Sequence, residues 1–72
     1  MSTIVDARGL SCPQPVLMTM DEIKRISEGE IEILVDTDTS KENVSRAALS
    51  KGWTVTDVKE EGEGYRVTIA GN

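Results

Sequence analysis

The chain contains a single cysteine, Cys12, set in Ser11-Cys12-Pro13-Gln14-Pro15 directly before a run with helical periodicity. Thiol chemistry runs through the thiolate, and the start of a helix is one of the few places that stabilises it. Unpaired backbone N–H groups and the positive end of the helix dipole both converge there. Proline is tolerated in the first helical turn, so Pro13 and Pro15 suit that position, and Pro13 pre-sets the backbone for the helix. The competing reading is a small buried thiol that fills space, the commoner fate of a free cysteine. The flanking prolines favour the nucleophile. Asp6, Arg8 and Gly9 precede it closely. Asp6 is read as a carboxylate that holds the loop by accepting backbone N–H groups rather than as a base. Arg8 is read as a surface ion pair, with added positive charge near Cys12 as the functional alternative. Gly9 supplies a backbone angle that other residues resist.

Composition narrows the chemistry further. The chain has 72 residues, read as one domain over 1–72, and no histidine. A chain of this size buries only about 60% of the surface its unfolded form exposes, so its core is small. One thiol excludes an internal disulfide and, without histidine, the usual zinc cluster; neither metal nor cofactor is expected. No apolar run approaches the ~20 residues that cross a bilayer, so no membrane insertion is expected. The N-terminus lacks the basic start and apolar block of a signal peptide, which places the protein in the cytoplasm, where a thiol stays reduced. A net charge of −5, one Trp, one Tyr and no Phe argue against nucleic acid as a partner. Acidity of this kind is chiefly a route to solubility.

The elements that must position Cys12 follow from periodicity. Strands are predicted over residues 3–7, 30–36, 53–59 and 64–70, and helices over 13–28 and 40–51. Val16, Met20, Ile23 and Ile26 mark the buried face of the first helix, with Gly29 as its left-handed cap. Ile31, Ile33 and Val35 share one strand face, and Leu34 on the other suggests a central strand. Thr39 and Glu42 match a capping box for the second helix, whose small buried stripe includes Val44, Ala47 and Ala48. Lys51 and Gly52 stop it. Trp53 at a strand start is read as packing, an irregular step near Asp57 as a bulge, and the last two strands as a hairpin. Lys41 and Arg46 are read as a solvated helix face, with a surface for an acidic partner as the alternative. The order strand-helix-strand-helix-strand-strand predicts a two-layer α+β sandwich. Its mixed four-stranded sheet has a parallel first pair, an antiparallel last pair, and both helices on one face.

The segment Asp6-Ala7-Arg8-Gly9-Leu10-Ser11-Cys12-Pro13-Gln14-Pro15-Val16 resembles the signature of the TusA/SirA family of small sulfur carriers. Thr19 fits the same pattern. Lys41-Glu42-Asn43-Val44-Ser45-Arg46-Ala47-Ala48, followed by Gly52, resembles the YedF-type branch. The resemblance covers essentially the whole chain. It implies a fold similar to the C-terminal domain of a bacterial translation initiation factor, with sheet order 1-2-4-3. It also implies a persulfide on Cys12, received from a cysteine desulfurase or rhodanese-like donor and passed to an acceptor protein, including a DsrE-like one. The pathways this opens include selenium and thiosulfate metabolism. One departure stands out: Met20-Asp21-Glu22 follows Thr19, where many members of the family carry lysine or arginine. That difference bears on partner identity more than on chemistry.

A sulfur relay needs a thiolate, an open approach and a stabilised leaving group, so Cys12 would be the catalytic residue and no second one is required. Two other function classes stay open at this stage. A single-cysteine redox protein would need an external resolving thiol. A non-catalytic module would bind protein or RNA without using Cys12 at all.

Overall fold

Apolar residues at every second position of Ile31-Glu32-Ile33-Leu34-Val35 build the strand around which the molecule is assembled. The computed structural model describes residues 2–10, 14–62 and 64–71. Its elements are β1 (Ser2–Asp6), α1 (Gln14–Ile26), β2 (Gly29–Val35), α2 (Asp38–Ser50), β3 (Thr54–Glu61) and β4 (Gly64–Gly71). Sheet order is β1-β2-β4-β3, with β1 parallel to β2 and the other two pairs antiparallel. The expected two-layer α+β architecture and the 1-2-4-3 order are both present.

Register explains the core. Val5 lies opposite Ile33, which lies opposite Val67, and Ile31 lies opposite Ile69. These five side chains face the helices and are buried with Val35, Val44, Ala48 and Trp53. The other face of the sheet is polar. There Arg66 bridges Glu32 at 3.0 Å and Glu61 at 3.2 Å. β2 is central, as Leu34 suggested, and Leu34 is half-buried on that second face.

The helix details depart from expectation in three places. The buried row of α1 is Pro15, Thr19 and Ile23, while Val16, Met20 and Ile26 are only half-buried. Thr19 is tolerated at zero exposure because its Oγ1 donates to the Pro15 carbonyl at 2.9 Å. Helix α1 stops at Ile26, and the left-handed residue after it is Ser27 (φ 62°), so Gly29 opens β2 instead of capping the helix. The N-cap of α2 is Thr37, not Thr39. Its side chain accepts the Ser40 N–H at 3.1 Å, and Thr39, two positions later, already lies inside the first turn of the helix.

At its far end α2 closes as the sequence suggested. The Gly52 N–H donates to Leu49 and the Trp53 N–H to Ala48, a Schellman arrangement with Gly52 at φ 82°. Trp53, just ahead of β3, is buried against Gly71, where a Cβ would come within 2.3 Å of the indole. The bulge falls between Val55 and Asp57, and β3 and β4 pair up to Glu61 and Gly64.

Candidate functional site

The site region is the chain between β1 and α1, together with what holds it. β1 runs into a four-residue turn, Ala7–Leu10. The Ala7 N–H extends the parallel ladder to the Leu34 carbonyl at 2.8 Å, and the Leu10 N–H returns to the Ala7 carbonyl at 3.4 Å. Gly9 occupies the third turn position at φ 80°. Nothing within 4 Å would meet a Cβ there, so glycine is required by backbone conformation rather than by space.

Asp6 ties the turn down as the sequence reading expected. Its carboxylate accepts the Arg8 backbone N–H at 3.2 Å and the Arg8 guanidinium through two bonds of 2.9 Å. The Arg8 guanidinium and then its backbone N–H hold the Asp6 carboxyl at about 2, below the ordinary 3.8. Arg8 is raised in turn, first by Asp6, with Asp36 and Glu61 adding to the same effect. Arg8 is therefore an exposed ion-pair partner that shapes the turn, and its charge is already engaged.

A second clamp reaches the turn from the end of the neighbouring strand. The Gly9 N–H donates to Asp36 Oδ2 at 2.7 Å, across 27 positions of the chain. Asp36 directly follows β2. Its position is fixed by Gly64 at the start of β4, where a Cβ would lie 2.4 Å from the Val35 carbonyl oxygen and 3.2 Å from the Asp36 Cα. Only the β1–β2 register could have revealed this contact. Asp6 pairs with Leu34, so the residues two positions beyond each come level: Arg8 beside Asp36.

α1 begins at Gln14, two positions after Cys12 in the chain. Pro15 sits in its first turn as expected and is fully buried. That turn carries no acidic residue, whereas Lys24 and Arg25 occupy the last turn, so the positive end of the helix faces no carboxylate of its own. Leu10 and Leu17, flanking the segment in sequence, are exposed. Cys12 and Pro13 lie outside the described residues, and so does the expectation that the thiol is exposed at the start of α1.

The other residues singled out lie elsewhere. Lys41 is bridged to Asp38 at 2.8 Å and sits 4.6 Å above the Tyr65 ring. Arg46 lines a shallow groove with Leu49 and Val58. Among the described residues there is no cluster able to hold a metal ion, and no helix is long and apolar enough to cross a membrane.

Fold and loop together define a small two-layer α+β domain with a braced turn between β1 and α1. Residues 3–71 match the family described as Sulfurtransferase TusA, and the chain belongs to that family. A Methanocaldococcus jannaschii protein named "Putative sulfur carrier protein" is 35% identical over 66 residues, 90% of this chain and 88% of that one. The Escherichia coli protein carrying the same description and the name YedF is 32% identical over 66 residues, 90% and 86% of the two chains. A crystal structure of a SirA-like protein from Desulfitobacterium hafniense superposes with a TM-score of 0.85 at 30% identity, covering 97% of this chain and 96% of that one. Family membership makes this chain a sulfur carrier, a protein that works between a sulfur donor and a sulfur acceptor.

Proposed function

We propose that the carried sulfur rides on Cys12 as a persulfide. The observation that supports this most directly is that a member of a sulfur-carrier family has one cysteine in its whole sequence, and that cysteine lies in the family signature. The Cys12 thiolate attacks the outer sulfur of a donor persulfide. The donor S–S bond breaks, the donor leaves as a thiolate, and a new S–S bond forms on Cys12. In the second half the acceptor attacks that outer sulfur and Cys12 departs as thiolate. Each transfer exchanges one S–S bond for another or for a bond to the acceptor, and no external oxidant or reductant is needed.

The helix start favours the anion in both halves: α1 offers its N–H groups and dipole there, with no carboxylate in the first turn. Asp6, Arg8 and Gly9 shape the turn that precedes Cys12 in the chain, and Pro15 sits in the first turn of α1. A free thiol of this kind suits the reducing cytoplasm. Incubation with a cysteine desulfurase or a rhodanese-like donor and labelled sulfur should add one sulfur atom to the wild type. Cys12→Ser should add none and remain folded. If a cell lacking the protein is rescued equally by Cys12→Ser, the relay is wrong and a binding role replaces it.

A further inference from the structure

We infer that Asp36 is a positioning residue for sulfur transfer, acting through its hydrogen bond to Gly9. The inference rests on the persulfide reading of Cys12. Three observations converge on Asp36. Its Oδ2 accepts the Gly9 N–H at 2.7 Å, three positions before Cys12 in the chain, and this is the bond by which a side chain outside residues 6–10 grips the turn among the described residues. Its backbone packs directly against Gly64 where β4 pairs with the end of β2, with an added Cβ at Gly64 falling 3.2 Å from the Asp36 Cα. Its charge also adds, after that of Asp6, to the field that keeps Arg8 protonated.

The consequence is mechanical. The Asp6–Arg8 pair is local, spanning two positions, and holds Arg8 to the end of β1, an edge strand of the sheet. Asp36 instead ties Gly9, one position nearer to Cys12 in the chain, to the end of the interior strand β2. A nucleophile that must reach a partner's sulfur in line depends on such a reference, since a displacement of about 1 Å can cost on the order of a hundredfold in rate.

The test compares Asp36→Ala with Asp36→Asn, because the asparagine oxygen can still accept the Gly9 N–H. Uptake of labelled sulfur by Cys12 is timed with glutathione persulfide, a donor that needs no protein contact, and the Gly9 amide is followed by NMR. Asp36→Ala should slow uptake about tenfold or more and lose the hydrogen-bonded Gly9 signal, while Asp36→Asn keeps both near wild type. A folded Asp36→Ala that loads at the wild-type rate overturns the inference. So does an Asp36→Asn protein that retains the Gly9 signal yet loads as slowly as the alanine variant. If Asp36→Ala fails to fold, the asparagine variant decides alone: uptake and a Gly9 signal near wild type support the inference, and slow uptake with the signal kept overturns it. A wild type that takes up no sulfur is a separate result, which overturns the carrier chemistry itself and the role of Asp36 with it.

Discussion

The two helices are each 13 residues long and lie on the same face of the sheet, yet their N-termini are built differently. α2 is closed by its own side chains: Thr37 accepts a backbone N–H, and Asp38 places a carboxylate in the first turn. Its other end is sealed by the Gly52–Trp53 arrangement. α1 carries no acidic residue in its first turn, and its structural effort goes instead into seating Pro15 and Thr19 against the core. A helix end neutralised by its own carboxylate has little left to offer an external anion, and one without it keeps its N–H groups and dipole available. α2 thus closes on its own side chains, while the first turn of α1 holds no carboxylate that would oppose a nearby anion.

Substitutions can break that comparison or sharpen it. The largest effect on stability should come from opening α2. Thr37→Ala removes the acceptor for the Ser40 N–H and should cost about 1 kcal/mol, read from the midpoint of urea denaturation, with sulfur uptake by Cys12 unchanged. A loss of uptake at full folding would mean that the two helix starts are functionally coupled.

Making α1 resemble α2 should act on chemistry instead. Gln14 is exposed in the first turn, so Gln14→Glu adds a carboxylate at the positive helix end without disturbing packing. The new charge stabilises the helix slightly and disfavours a nearby thiolate. The Cys12 thiol should therefore titrate about half a unit higher than in wild type, measured by iodoacetamide reactivity against pH. No change would show that the dipole of α1 does not reach the thiol.

The smallest effect concerns acid. Asp6 has its carboxyl lowered to about 2 by the Arg8 guanidinium, against an ordinary 3.8. A depressed carboxyl contributes what it contributes above the unfolded value and loses it as pH falls through the folded one. The stability contributed by the Asp6–Arg8 pair should thus be complete above about 4 and be lost as pH falls through about 2, where the carboxyl itself is half protonated. Carboxyl NMR shifts of Asp6 check this directly; an ordinary midpoint would mean that the ion pair is absent in solution.

Local residue patterns dictate the elements, their order and the residue on which chemistry is proposed to rest. Ile31, Ile33 and Val35 announced a strand, Val44 and Ala48 a helix face, and the bulge near Asp57 and the Gly52 stop were legible locally, because each depends only on a few neighbouring residues. Cys12 stood out as the lone thiol directly ahead of two prolines, and Asp6 was read correctly as a brace for its turn. Tertiary structure decided which of several equivalent local choices was used. Thr37 and Thr39 are both good caps, and only the path of the chain out of β2 selects the first. Ser27 takes the left-handed position although Gly29 is the better residue for it, since β2 must begin at Gly29 to pair with Gly71. The Asp36–Gly9 bond joins positions 27 apart and exists because parallel pairing of β1 with β2 brings their ends level. Periodicity encodes which face of an element is buried; the register between strands, set by how all the buried faces fit together, decides which distant side chains meet.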